Sequence, residues 1–166
     1  MDVVITLLRI VHIFAAIFWA GVTFFTLGIL EPTVKSAGPE GARFMQRLAA
    51  VGGMSRAMGI AGAVVVLSGL LLYGPITGNL NPAVVFGGRL GLTLGAIAGL
   101  AAGVSGFVIQ GRTSGQLARL GAQIAGQGQP PSPEQAAQLG AMQARLSQGT
   151  MISAVLMAIA VIGMSV

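Results

Sequence analysis

RIVHIFAAIFWAG, residues 9–21, sits inside an apolar run that extends from Val3 to Leu30. A helix needs about 20 predominantly apolar residues to cross a bilayer, and this run is long enough. It is also too long for a secretory leader, and no small-residue cleavage site follows a charged start, so it reads as a retained helix. Its oddity is the arginine, the histidine and the tryptophan set among isoleucines and phenylalanines. On a helical wheel at about 100° per residue, His12, Ala16, Trp19, Thr23 and Thr26 fall within an arc of about 80°, with Arg9 at its edge. Polar groups are costly in hydrocarbon unless they face protein or water. The stripe is therefore expected to face other helices.

The rest of the chain asks for the same solvent. Of 166 residues, 54% are hydrophobic and only 8% are charged. A soluble domain carries roughly 25% charge, so this chain lacks the groups to cover a surface in water. Four spans are predicted, at about 3–30, 57–73, 84–110 and 150–166. Glu31-Pro32 is expected to end the first and Gly74-Pro75 the second. The last is short for a span and has room to begin earlier, as a helix rising from Pro133. The expected fold is an all-α, four-helix integral membrane bundle forming a single transmembrane domain.

The loops between spans differ in charge. The first, 31–56, carries Lys35, Arg43, Arg47 and Arg56. The third, 111–149, carries Arg112, Arg119 and Arg145. The second, GPITGNLNPAVVF, carries none. Basic loops mark the cytoplasmic side, which places loops one and three inside and both termini outward. The expected location is a bacterial cytoplasmic (inner) membrane, crossed several times. In the first loop, Phe44, Leu48 and Val51 fall at i, i+4 and i+7 beside Arg43 and Arg47. That pattern predicts a short amphipathic helix in the membrane interface. In the third loop, GQGQPPSPEQ reads as a turn-rich, mobile segment. Ser132 is the predicted N-cap of a helix opened by Pro133 and Glu134.

Gly87, Gly91, Gly95, Gly99 and Gly103 recur every four residues in the third span. Small residues at this spacing let two helix backbones approach in a bilayer. Packing inside the bundle, with Gly59, Gly62 and Ala63 of the second span as the facing surface, is the simpler use. A homodimer contact is the alternative.

Chemistry is sparsely supplied. There are no cysteines, which removes disulfides, thiol catalysis and thiolate metal sites. No hydrolase, phosphate-loop or metalloprotease motif is present, and the spans lack the carboxylates an ion-coupled transporter would use. The net charge of +5 is spread thinly and makes no nucleic-acid footprint. What remains is a set of groups toward the outer half: Arg9, His12 and Trp19 on the first span, Tyr73 at the end of the second, and Arg89 early in the third. Asp2 is the one acid on that side. Together they predict an outer-half pocket for an anionic ligand, with His12 as the single candidate metal ligand. Against this stand plainer roles. Arg9 and Arg89 can reach the headgroups, His12 can bond a neighbouring helix, Trp19 can fill the core, and Tyr73 can anchor the interface.

The pattern His12–x6–Trp19–x–Gly21, then Arg43 and Arg47, then VVVLSGLLLY, then a basic residue early in the third span resembles the copper-resistance protein D superfamily of small bacterial membrane bundles. QPPSPEQAAQLGAMQARLS followed by a final apolar helix resembles its uncharacterised four-helix branch. More distantly, the chain is similar to the haem-carrying membrane protoporphyrinogen oxidase family. That likeness implies a haem histidine at His12 and puts Arg89 where those relatives carry a lysine. A guanidinium is a poor base and a poor iron ligand. The relatives' second histidine is missing, since 99–103 holds only Gly, Ala and Leu, so bis-histidine ligation within one chain is excluded.

Three functions follow. One is a binder of haem or another anionic ligand, with His12 on iron, Arg9 and Arg89 on propionates, and a methionine as second axial ligand. Another is a non-catalytic accessory subunit of a membrane complex. The third is copper handling, with His12 and the methionines Met54, Met58, Met151, Met157 and Met164 as soft donors. Copper is the weaker cofactor because Met54 and Met58 lie at the opposite end from His12.

Overall fold

The computed structural model describes residues 3–51 and 53–165, and is helical throughout apart from short turns. Asp2, Val166 and the side chain of Val51 lie outside the described residues. Helix α1 (Val3–Phe25) passes through a π-helical turn (Thr26–Leu30) into α2 (Glu31–Ser36). Next come α3 (Gly38–Val51) and α4 (Met54–Ile76). A second π turn (Val84–Gly88) precedes α5 (Leu90–Ser105), and a third (Gly106–Gln110) leads into α6 (Gly111–Gln127). Helix α7 (Pro133–Ser165) completes the chain. Four continuous helices are long and apolar enough to cross a membrane: Val3–Ser36, Met54–Ile76, Leu90–Gln127 and Pro133–Ser165. The protein is an all-helical, multi-pass membrane protein.

Several boundaries move from the sequence expectation. Glu31-Pro32 does not end the first helix. A proline in a helix lacks an N–H and collides with the carbonyl four residues back. Here the π turn precedes it, with the Glu31 N–H bonded five residues back to the Thr26 carbonyl. The wider turn makes room for the ring, and the helix runs on to Ser36. Helix α4 outruns Tyr73 by three residues. Thr77 then closes it, its N–H and hydroxyl both donating to the Tyr73 carbonyl at 3.0 and 2.7 Å. The third span begins at Leu90 rather than 84, because Arg89 (φ −133°, ψ 37°) breaks the helix.

The largest correction concerns the 111–149 loop: its first part, Gly111–Gln127, is helical, while the helix expected to open at Pro133 is present. Only 128–132 lies between helices there. Leu117, Leu120 and Ile124 of α6, and Leu139, Met142 and Leu146 of α7, are half-buried at spacings of three and four. Such spacing gives each helix one apolar seam, and the two pack as a helical hairpin. Gly128, left-handed at φ 63°, ends α6. Ser132 starts α7 with a reciprocal cap: its N–H donates to Gln135 Oε1 (2.9 Å) and Gln135 N–H donates to its hydroxyl (3.2 Å).

The spans form an antiparallel quartet. His12 and Trp19 of α1 meet Ser68 and Gly62 of α4. Tyr73 and Val66 of α4 meet Thr93 and Gly103 of α5. Gly95 of α5 meets Ala160 of α7, and Glu31 beyond α1 meets Ser147 of α7. Each helix places one residue in the central cluster: Trp19, Ala61, Ala102 and Met157. Outward-facing apolar residues such as Phe14, Ile60, Leu71, Ile97 and Ile162 stay uncovered, as a lipid-facing surface requires.

The α5–α7 seam is the closest. A Cβ added at Gly95 would stand 2.9 Å from the Ala160 carbonyl oxygen, and one at Gly163 would stand 2.6 Å from that of Gly91. Gly99 faces Met164 and Ala160 at ordinary contact distance. Gly103 turns instead to α4, where an added Cβ would be 2.8 Å from Val66 Cγ2. Gly87 lies before the Arg89 break and has nothing within 4 Å. The partner of the stripe is thus chiefly α7, not the second span. Gly62 receives Trp19, and Gly59 has open space.

Candidate functional site

The polar stripe of α1 does face the bundle from His12 onward. Trp19 and Thr23 are buried, while His12, Ala16 and Thr26 are half-buried. Arg9 is exposed.

His12 meets α4. Its Nδ1 is 2.9 Å from Ser68 Oγ. Ser68 also bonds back to the Val64 carbonyl, and more weakly to Val65 O at 3.2 Å. A hydroxyl has one proton, and carbonyl oxygens can only accept. Ser68 therefore donates backward along its helix and accepts from His12. In a neutral ring this bond calls for the proton on Nδ1. Gly69 makes the approach feasible, since a Cβ there would be 3.1 Å from the imidazole Cε1.

Seven residues on, one face of the Trp19 indole lies over Gly62 (3.4 Å to an added Cβ) and its edge reaches Gly106 (3.9 Å). The Thr23 hydroxyl donates to the Trp19 carbonyl at 2.8 Å. Trp19 is core packing between three helices.

Tyr73 and Arg89 share a second cluster. Tyr73 Oη is 2.9 Å from Thr93 Oγ1. The Thr93 hydroxyl donates to the carbonyls of Val85 (2.9 Å) and Arg89 (3.2 Å). By the same proton count, Tyr73 donates to Thr93. This ties the end of α4 to the start of α5, across the broken turn. Arg89 itself is exposed at that break, not several residues inside a helix.

The expected outer-half set is therefore divided. His12 pairs with Ser68, Tyr73 with Thr93, Trp19 packs centrally, and both guanidiniums lie on the surface. Haem fits this arrangement poorly. The chain has one imidazole, its ring edge seats against Gly69, and neither arginine enters the bundle. The methionines do not assemble around His12 either. Met157 is buried in the central cluster with Met58 against it, and Met151 is exposed. Among the described residues, no three His, Asp or Glu side chains converge.

Two polar contacts escaped the sequence reading. Gln110 Nε2 donates to the Gly149 carbonyl (3.2 Å) and to Ser153 Oγ (2.9 Å). Ser147 Oγ donates to Glu31 Oε2 (2.7 Å), and Lys35 sits 3.8 Å from the same oxygen. Isolated serines inside apolar runs, at 68 and 153, were the available signal. Comparisons with protein-family models, with curated proteins and with solved structures found no match for this chain.

Proposed function

We propose that the protein is a small, non-catalytic accessory subunit of a bacterial cytoplasmic membrane, of the uncharacterised copper-resistance protein D-like branch. The supporting observation is the use made of its polar groups. His12–Ser68, Tyr73–Thr93, Gln110–Ser153 and Ser147–Glu31 each join two segments of the bundle. Side chains spent this way lock helices together rather than face a substrate. Orientation follows from charge. Lys35, Arg43, Arg47, Arg56, Arg112, Arg119 and Arg145 belong to the hairpin end, against Arg9 and Arg89 at the other. The hairpin end is therefore cytoplasmic, both termini face outward, and α3 lies in the inner interface.

Affinity purification from membranes under mild detergent tests this reading. A stoichiometric membrane partner is expected. A stable, isolated monomer carrying a bound ligand would overturn it.

One observation favours a second reading. An imidazole oriented by a hydrogen bond at Nδ1 is held as metal-ligating histidines are. A soft metal such as Cu(I) would be held by His12. The check is an absorption spectrum with metal analysis of the purified protein, repeated with His12→Ala. A Soret band or one metal equivalent that disappears in the variant would transfer the function to ligand binding.

A further inference from the structure

We infer that α3 carries a binding site for anionic lipid headgroups, formed by Arg43 and Arg47 with Phe44 beside them. This rests on the interfacial placement of α3 proposed above. The helix is tethered at both ends. It follows α2 through a tight turn at Ala37 and Gly38 (φ 55°), and it passes to α4 through Gly53 (φ 51°). Both neighbours belong to helices long enough to span a membrane, so α3 sits at the end of the bundle where the Val3–Ser36 helix stops and α4 begins.

Its orientation about its own axis is fixed too. Gly41 is buried, and an added Cβ would strike the Val34 carbonyl of α2. Met45 and Leu48, four and seven residues on, are half-buried on the same side. Arg43 and Arg47 lie away from that face, with Phe44 on the flank beside them, and all three are exposed, Phe44 by 52%. The half-buried face of α3 is thus 41–45–48. Phe44, expected on the apolar face of an interfacial helix, is exposed beside the two cations.

With Glu40, these residues line a hollow of about 300 Å³. Among the described residues the one ion pair is Lys35–Glu31, so both guanidiniums keep their donors for a ligand. A phosphodiester headgroup matches their forked geometry. An aromatic ring set beside it suits the boundary of headgroup and acyl chain. Each basic residue near an anionic surface contributes about fivefold in partitioning, so the pair gives about 25-fold.

The full chain with Phe44→Trp, reconstituted in bilayers, reads both depth and preference. Its added fluorescence over that of Trp19 is quenched by brominated lipids, once with a zwitterionic headgroup and once with an anionic phosphoglycerol headgroup at equal bromine. Strong quenching, concentrated on the anionic lipid, is expected. Arg43→Gln/Arg47→Gln in the same background should remove that concentration while leaving quenching by the zwitterionic lipid in place. Glu40→Gln should raise the anionic preference. Equal quenching by both lipids would overturn the headgroup site while leaving α3 in the interface. No quenching by either would remove α3 from the interface, and the site with it.

Discussion

Gly95→Ala puts the α5–α7 seam to a quantitative test. The new methyl would stand 2.9 Å from Ala160 O, 3.0 Å from Met164 N and 3.1 Å from Gly163 C. All three are backbone atoms, which cannot rotate away. Attractive carbon contacts begin near 3.5 Å, so the helices must part by about 0.5 Å, and that gap forfeits about a quarter of each contact's well. At about 0.15 kcal/mol for each of about 50 close atom pairs, the seam loses about 2 kcal/mol. Alanine's better helix propensity returns about 1 kcal/mol. The net cost is about 1 kcal/mol, or about fivefold in the unfolding equilibrium. Gly59→Ala is the matched control, since nothing lies within 4 Å of its new Cβ. It keeps the propensity gain, and the two variants should differ by about 2 kcal/mol. Equilibrium unfolding in mixed micelles, followed by Trp19 fluorescence, measures both. Equal stabilities would refute the close approach of these backbones.

Other substitutions separate the polar contacts by what each leaves behind. Ser68→Ala removes the partner of the half-buried His12 Nδ1 and should cost about 1–2 kcal/mol in the same assay, whereas Tyr73→Phe leaves Thr93 bonded to Val85 O and should cost about 0.6 kcal/mol. The reverse order would show that the proton assignments are wrong. A double-mutant cycle of Ser68→Ala with His12→Phe should return a coupling of about 0.6–1.7 kcal/mol, and zero coupling would dismiss the His12–Ser68 bond. Leu80 is held at φ 64°, a left-handed conformation that costs a branched residue about 1 kcal/mol or more. Leu80→Gly should therefore stabilise the α4–α5 turn, read as a raised unfolding midpoint, and a lowered midpoint would contradict that backbone.

The apolar runs announced four spanning helices because lipid imposes a single compositional rule over about 20 residues. Their ends were harder to read. Pro32 looked like a stop, since the proline rule holds for an α register, and a π turn changes the register ahead of it. Residues 111–127 looked like a loop because Gly, Gln and Ala dilute their leucines, whereas Ser132 and Pro133 announced the start of α7. His12 and Trp19 were legible as inward-facing from helical periodicity alone. Arg9 and Arg89 were grouped with them on charge and chain position, and neither property records which way a long side chain leaves its helix. Ser68 and Thr93, the residues that satisfy His12 and Tyr73, sit on other helices, at distances in sequence that no periodicity spans.

The α6–α7 hairpin prolongs the seam at Gly95 and Gly163, because α6 continues α5 in one helix from Leu90 to Gln127. Helix α6 alone is 17 residues, an arm of about 25 Å. Force applied at residues 128–132 would act through that length, with its fulcrum at the π turn where Gln110 grips Gly149 and Ser153. Gly95 lies about 22 Å on the other side of that fulcrum, so the α5–α7 seam would receive a pull on the tip at nearly its full displacement.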